Sequence, residues 1–127
     1  MKKNQSPLLT QEQIILQILE RVLHDTGIPS EQYHLGGYAE ECVCLERTDG
    51  GWEVYDGERG KRYAVFASPD LYQACLEMLD RLAESEERSA FVQGYFQYAM
   101  QEEWERKRKR SLALEVAALP PRQMFRF

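Results

Sequence analysis

The sequence predicts an α+β fold with the element order α-β-β-β-α-α, in which helices pack on a small antiparallel sheet of three to four strands. Apolar residues recur at helical spacing toward both ends of the 127-residue chain, whereas residues 33–68 hold short β-rich segments separated by glycines. The loops between these segments are too short for parallel crossovers, so we expect antiparallel neighbours. A chain of this length fits one domain, 1–127, with a core at about 8–105 and a basic helix and tail at 106–127.

The first helix is predicted to begin at Thr10. The hydroxyl of Thr10 can cap the free amides of the first turn, and Gln13 stands where a capping box needs it. Leu9 and Ile14 can form a hydrophobic staple across the same turn. The apolar face of this helix comprises Ile14, Ile15, Ile18, Leu19, Val22 and Leu23. Gly27 ends the helix, because glycine accepts the left-handed cap and a proline two residues later cannot continue it.

Three strands are predicted in the middle of the chain. They run from about Tyr38 to Arg47, from Trp52 to Glu58 and from Arg62 to Ala67. Side chains alternate between the two faces of a strand. In the first strand Ala39, Val43 and Leu45 therefore share a face. In the second strand Trp52 and Val54 share one face, and Glu53 and Tyr55 share the other.

The turns between these strands are predicted from pairs that contain glycine. Asp49-Gly50-Gly51 joins the first strand to the second, and Gly60-Lys61 joins the second to the third. Asp56-Gly57 is a competing turn. It would leave a very short strand before it, so we prefer Gly60-Lys61.

Two further helices follow the strands. Ser68-Pro69-Asp70 predicts the start of the second helix, because it supplies a capping hydroxyl, a proline at the first helical position and an acid near the positive end of the helix dipole. Its buried stripe comprises Leu71, Cys75, Met78, Leu79 and Leu82. The helical pattern is lost at 84–88, and Ser89 is predicted to start a last helix that runs out past Arg110 and stops at Pro120-Pro121.

The formal charge of −5 averages two unlike parts of the chain. Residues 1–105 carry a net charge of −11, and residues 106–127 carry +6. An acidic body argues against a generic nucleic-acid-binding protein. No run approaches the ~20 apolar residues that span a bilayer, and the N-terminus has no apolar core typical of a signal peptide. We therefore expect a cytoplasmic protein that does not bind membranes.

The residues that usually carry catalysis or bind metals are scarce. Cys42, Cys44 and Cys75 are odd in number, which favours free thiols in a reducing compartment. Cys42 and Cys44 point to the same face of a strand, but a structural zinc site normally needs two such pairs. The only histidines are His24 and His34, and no phosphate-binding loop, zinc-protease motif or nucleophile elbow occurs. We expect no catalytic residue, no metal, no cofactor and no enzyme activity.

Acidic residues are concentrated in the predicted sheet. They are Glu40, Glu41, Glu46, Asp49, Glu53, Asp56 and Glu58. One interpretation is the solvated polar face of a two-layer domain. The other is a surface that docks a basic protein, because complementary charge speeds association and neighbouring aromatic side chains anchor it. On the second interpretation the partner-binding residues are Glu40, Glu41, Glu53, Tyr55, Glu58 and Arg59.

The segment Arg106–Arg110 consists entirely of basic residues and follows three acids. On a helix the favourable i,i+4 pairs are Glu102–Arg106, Glu103–Lys107 and Glu105–Lys109. A solvated helix end is therefore preferred, and nucleic-acid contact through this segment stays open as an alternative. The apolar residues Met124, Phe125 and Phe127 favour packing of the tail on the body or on a second subunit. A homodimer through the C-terminal helix or tail is thus a further alternative.

The stretch Trp52–Gly60, with the pattern W-x-V-Y-x-x-E-R-G, resembles small bacterial immunity proteins of polymorphic-toxin and contact-dependent inhibition systems. Phe66–Ser68 and the helix residues 74–82 extend the resemblance, and Gly37–Glu46 looks like the preceding strand of the same group. The resemblance covers about residues 33–85. It implies a non-enzymatic protein that binds and blocks a cognate toxin domain, often a nuclease.

The sequence therefore predicts an immunity protein, or antitoxin, that neutralises a cognate and basic toxin domain. The alternative from another class is a small nucleic-acid-associated regulatory or adaptor protein that uses the basic C-terminal helix. Binding to DNA or RNA that weakens steeply with salt would distinguish the alternative.

Overall fold

Residues 10–117 are described by a computed structural model, and they confirm the predicted α+β fold and element order. The described helices are α1 (Gln11–Asp25), α2 (Leu71–Leu82) and α3 (Glu86–Ala117), with a short 3-10 helix at Ser30–Gln32. The strands are β1 (Tyr33–Leu35), β2 (Cys42–Thr48), β3 (Gly51–Glu58) and β4 (Lys61–Ser68). None of the described helices is long and apolar enough to cross a membrane.

The three longer strands form the predicted antiparallel meander, within a sheet of order β1-β2-β3-β4. The chain turns at Asp49–Gly50 and again at Arg59–Gly60. Asp56 and Gly57 lie inside β3, so the competing turn is not used. The preference for the later turn is confirmed.

The edge strand β1 runs parallel to β2, so the prediction of a purely antiparallel sheet is wrong at this edge. The segment 36–41, which we call the return loop, carries the chain from the end of β1 back to the side of the sheet where β2 begins. Gly36 and Gly37 have φ angles of 110° and 141°, and both amides donate to the Leu45 carbonyl. These conformations need glycine, and they allow a parallel connection far shorter than the usual crossover. Ala39 consequently lies in the return loop rather than on the strand face of Leu45.

Helix α1 begins as predicted. The Thr10 hydroxyl accepts a hydrogen bond from the Gln13 amide at 3.1 Å, and the Gln13 side chain accepts one from the Thr10 amide at 2.9 Å, which completes the capping box. At the other end Gly27 has a φ of 79°, and the amides of Gly27 and Ile28 close a Schellman motif. Leu9, the other half of the predicted staple, lies outside the described residues.

The start of α2 differs from the prediction by two residues. Asp70, not Ser68, caps the helix, since its carboxylate accepts a hydrogen bond from the Tyr72 amide at 3.1 Å. Ser68 is the last residue of β4, and its hydroxyl accepts from the Asp70 amide at 3.0 Å. Both side chains therefore satisfy backbone amides that the strand and the helix leave free.

The start of α3 also differs from the prediction. The Ser85 hydroxyl accepts a hydrogen bond from the Arg88 amide at 3.0 Å, and the helix begins at Glu86. Ser89, which the sequence predicts as the start, is buried one turn further on and donates to the Asp80 carboxylate of α2 at 2.5 Å. A buried hydroxyl needs a partner, so this bond fixes α3 against α2.

The core lies between the three helices and one face of the sheet. The elements α1, β2, β3, α2 and α3 each contribute a fully buried side chain, in that order Leu19, Leu45, Val54, Met78 and Phe96. The predicted apolar stripes of α1 and α2 are confirmed, as is the alternation along β3, where Val54 faces the helices and Tyr55 faces away. The return loop covers part of this second sheet face.

Helix α3 continues well beyond its contacts with the body. Its last buried side chain among the described residues is Ala99, and every side chain from Trp104 to Leu114 is exposed. Arg106 pairs with Glu103, three residues earlier, at 2.6 Å, so the predicted pairing with Glu102 is wrong. The residues predicted to stop the helix and to form the apolar tail lie outside the described range.

Candidate functional site

A cleft of about 500 Å³ opens where the ends of β2 and β3 meet the C-terminal end of α2. Its charged lining residues are Glu41, Asp56, Glu58, Arg81 and Glu84, and we call it the acidic cleft. Four carboxylates thus face one guanidinium. The carbonyl end of α2 adds partial negative charge to the same place. The arrangement suits a cationic group.

Arg81 joins the sheet to α2 at this cleft, and its side chain is largely buried. Its Nε donates to the Glu77 carboxylate at 2.8 Å, and its Nη2 donates to the Ala64 carbonyl. Its Nη1 lies 3.5 Å from the Asp56 carboxylate, beyond a good hydrogen bond. The guanidinium charge is therefore already shared by two acids.

The remaining carboxylates of the acidic cleft have no such neighbour. Within the part of the chain that the structure describes, no basic side chain forms an ion pair with Glu41, Glu58 or Glu84. Like charges gathered without a counterion repel one another, and the repulsion is relieved when a cation binds. The cleft thus presents three carboxylates without an ion-pair partner among the described residues.

A β-bulge in β4 explains why Arg81 reaches a strand carbonyl. Val54 pairs with Phe66 and Asp56 pairs with Tyr63, so two residues of β4 stand opposite Tyr55 alone. Ala64, one of the two, has a φ of 52°. The bulge re-aims its carbonyl out of the ladder and toward α2.

Glu41 reaches the rim of the acidic cleft because the return loop sits directly on β3. The Glu41 amide donates to the Gly57 carbonyl at 2.7 Å. A Cβ at Gly57 would collide with the Ala39 carbonyl, so only glycine allows this close approach. Glu41 itself has a φ of 55°, a left-handed conformation that costs a residue with a side chain about 1–2 kcal/mol.

Glu40, one residue earlier, is bonded to the turn between β3 and β4. Its carboxylate accepts hydrogen bonds from the Tyr38 hydroxyl at 2.7 Å and from the amides of Arg59 at 2.8 Å and Gly60 at 2.6 Å. The hydrogen bond from Tyr38, followed by the two amides, lowers the pKa of Glu40. Glu40 is exposed, and its carboxylate is at the same time hydrogen-bonded within the protein.

Tyr55 is 0% exposed, so its predicted place on an outward contact surface is wrong. Its hydroxyl donates to the Glu46 carboxylate at 2.6 Å, the Tyr38 ring stacks on it at a centroid distance of 6.3 Å, and the Arg62 guanidinium lies 5.1 Å from its ring centroid. Burial, reinforced by the bond to Glu46, raises the pKa of Tyr55 to about 12. The Tyr55 ring thus packs between the sheet and the return loop, where it contacts Tyr38.

The six residues predicted to bind a partner do not form one surface. Glu41 and Glu58 meet in the acidic cleft, with Arg59 in the turn beside them. Glu53 lies opposite Glu46 on the other sheet face and is not part of the cleft lining. The structure therefore groups Glu40, Glu41, Glu58 and Arg59, and it separates Glu53 and the buried Tyr55 from them.

Sequence reasoning missed three cleft residues. Asp56 was among the concentrated acids and lies on the helix-facing side of β3, and this alternation could have directed it toward a basic residue of α2 such as Arg81. Glu84 lies just beyond the end of α2. Its position depends on how α2 packs across the sheet, for which the sequence holds no local signal.

The two neighbouring thiols share a sheet face, as predicted, with 4.0 Å between the Sγ atoms of Cys42 and Cys44. The Cys44 sulfur accepts a hydrogen bond from the Ala39 amide at 3.3 Å, which ties it to the return loop. Burial, with the nearby Cys44, raises the pKa of Cys42 to about 11. Across residues 10–117 no group of three or more His, Cys, Asp and Glu side chains is arranged to hold a metal ion.

No family model, curated protein or solved structure matches this chain. The resemblance of residues 33–85 to immunity proteins stays a prediction. The acidic cleft and the charge distribution are the features that bear on function.

Proposed function

We propose that this protein is an immunity protein, which binds a basic toxin domain such as a nuclease and neutralises it without catalysis. The acidic cleft supports this proposal most directly. Glu41, Glu58 and Glu84 lack ion-pair partners among the described residues, and an inserted lysine or arginine side chain would supply one. Charged hydrogen bonds of this kind are stronger than neutral ones.

The overall charge supports a basic partner as well. Residues 1–105 carry a net charge of −11, which attracts a basic protein before contact and raises the association rate. Nucleases hold phosphates with lysine and arginine side chains, so their substrate surfaces are basic. A protein that occupies such a surface blocks the substrate.

The rigidity of the cleft rim also favours binding. The Glu41 amide donates a hydrogen bond to the Gly57 carbonyl, and the neighbouring Glu40 carboxylate accepts hydrogen bonds from the β3–β4 turn. A rim fixed before binding loses little conformational entropy when a partner arrives. The cleft is thus preorganised for a partner of matching shape.

The direct test is to purify the full chain with the toxin domain encoded beside it and to measure their association at about 50 and about 500 mM salt. We expect a complex whose association rate falls with salt, together with rescue of growth in cells that express the toxin. Glu41→Gln with Glu58→Gln should slow association by roughly tenfold. The control variant, Glu20→Gln with Asp49→Asn, removes the same charge outside the cleft and should change the association rate far less.

Two outcomes would overturn the proposal. One is the absence of a complex and of growth rescue. The other is equal slowing by the cleft variant and the control variant, which would mean that the cleft is not the contact. Binding of duplex DNA at low salt that disappears on neutralising 107–110 would instead favour the nucleic-acid alternative.

A further inference from the structure

A second cavity, of about 460 Å³, adjoins the acidic cleft. It lies between the segment that follows α1 and the connection from α2 to α3, and we call it the second cleft. The two cavities have four lining residues in common, which we call the shared wall: Gln32, Leu82, Ala83 and Glu84. The cavities are therefore direct neighbours, and each has the size of a binding site.

The second cleft differs in chemistry from the acidic cleft. Ile28 and Pro29 give it an apolar side, and its charged lining residues are Glu84 and Arg88. Arg88 is exposed, and its Nη2 donates to the Thr26 carbonyl. A guanidinium carries several further N–H donors. Arg88 can therefore also donate to a hydrogen-bond acceptor of a partner that enters the second cleft.

The shared wall suits the main chain of a partner. Gln32 is exposed there, and its side-chain amide can both donate and accept hydrogen bonds. An extended main chain exposes an N–H and a C=O group at each residue and needs partners of both kinds when it is buried. Gln32 in the wall and Arg88 beyond it supply such partners, while the carboxylates on the other side of the wall suit a basic side chain.

We infer that the basic partner binds through an extended segment that crosses the shared wall and enters both cavities. One basic side chain of this segment lies among Glu41, Glu58 and Glu84 in the acidic cleft. The adjoining part lies in the second cleft, where its main-chain carbonyls accept hydrogen bonds from Arg88. Alternate side chains of an extended chain lie about 7 Å apart on the same side, so one short segment can occupy two adjacent cavities.

The charges set which part of the segment enters which cavity. The acidic cleft attracts a cation, and Glu84 extends this attraction to the shared wall. The positive charge of Arg88 repels a second basic side chain from the second cleft and favours an oxygen acceptor there. The inference rests on the proposed function and adds to it the place, the conformation and the orientation of the bound segment.

Photo-crosslinking of the complex with the toxin domain encoded beside this chain tests the position of the segment. A benzoylphenylalanine replaces Pro29 in the second cleft, Glu58 in the acidic cleft or, as the control, the exposed Gln101 of α3. Pro29 has a φ of −62° and a ψ of 140°, which other residues adopt as well. We expect the Pro29 and Glu58 variants to crosslink to one stretch of the toxin, at positions within about six residues of each other. The Gln101 variant should not crosslink.

Arg88→Met tests the role of the second cleft by the sign of its effect. Removing a positive charge from an acidic protein should strengthen its attraction to a basic partner, whereas the loss of the Arg88 donors should raise the dissociation constant by about tenfold. Arg21→Met, at an exposed arginine of α1, is the matched control and should bind as tightly as the wild type or slightly more tightly. Circular dichroism confirms that both variants are folded.

The outcomes separate the inference from the proposed function. A complex in which Pro29 and Glu58 crosslink to distant parts of the toxin, or in which the Pro29 variant does not crosslink, would overturn the inference and leave the proposed function standing. Equal affinities of Arg88→Met and Arg21→Met would overturn it as well. The absence of any complex would overturn the proposed function, and the inference with it.

Discussion

The Glu40 carboxylate lies 2.6 Å from the amide nitrogen of Gly60, twenty residues further along the chain. The same carboxylate also accepts a hydrogen bond from the Arg59 amide. An acid in the return loop thus satisfies two amides of the β3–β4 turn. These hydrogen bonds keep the return loop, and with it Glu41, against β3.

Replacing Glu40 should make the protein less stable in a pH-dependent way. Because folding lowers the pKa of Glu40 below its ordinary value of 4.5, the stabilisation is complete above that value and disappears as the pH falls through the folded value. The free energies of unfolding of wild type and Glu40→Gln, measured with urea, should therefore differ near pH 7 and become equal in strong acid. Glu58→Gln, in the β3–β4 hairpin whose turn Glu40 binds, is the control. A difference between wild type and Glu40→Gln that is constant across the acidic range would contradict the assignment.

Tyr55→Phe should destabilise the fold by about 1–2 kcal/mol. The substitution keeps the ring but removes the hydroxyl that donates to Glu46, and it leaves that carboxylate with one partner fewer. Equilibrium unfolding in urea measures the change. Tyr63→Phe removes the hydroxyl of an exposed tyrosine on β4, and its stability should stay close to that of the wild type. Equal stabilities for the two variants would show that the Tyr55 bond contributes nothing.

Gly57→Ala should destabilise the folded protein by roughly 1–3 kcal/mol or prevent the return loop from packing on β3. A Cβ at this position meets the Ala39 carbonyl, and Gly57 cannot move away without disturbing its pairing with β2 and β4, so the return loop must shift instead. The matched variant is Gly50→Ala, because a Cβ there meets nothing within 4 Å. Thermal unfolding of both variants separates the two cases. A Gly57→Ala protein as stable as the Gly50→Ala protein would mean that the return loop does not approach β3 this closely.

The thiols of Cys42 and Cys75 should react slowly in the folded protein. Burial raises their pKa values to about 11 and about 12, so near pH 8 both thiols are almost entirely protonated. Alkylation followed by peptide mapping gives the rate at each position. The same chain in concentrated guanidinium chloride should react at the rate of free cysteine. Rapid labelling of folded Cys42 would show that its environment is more polar than the structure places it.

The elements of the fold were largely predictable because their signals are local. The capping box of Thr10 and Gln13 and the Arg59–Gly60 turn depend on residues within a few positions of one another. The parallel strand β1 was not predictable in this way. It depends on Gly36 and Gly37, which turn the chain back toward the start of β2, and their amides donate hydrogen bonds to Leu45 of that later strand. Two adjacent glycines indicate a turn but not the direction of the next strand.

The candidate site was less predictable, because its residues meet through packing. Glu41 and Glu58 were predicted as partner-binding residues because acids are concentrated in this part of the sequence. The same reasoning included Glu53, which lies on the other sheet face. Alternation alone placed Tyr55 on the correct face and could not show that the return loop covers that face. Burial by a neighbouring loop is a tertiary property, and periodicity within one strand does not report it.

If the protein binds a basic partner as we propose, the left-handed backbone of Glu41 sets stability and binding in opposition. Glycine adopts this conformation without strain, so Glu41→Gly should raise the free energy of unfolding by up to about 1 kcal/mol. The same substitution removes a carboxylate from the acidic cleft and should slow association with a basic partner. This single substitution would thus give a more stable protein that associates more slowly with its partner. Robustness and recognition would be traded against each other at one residue.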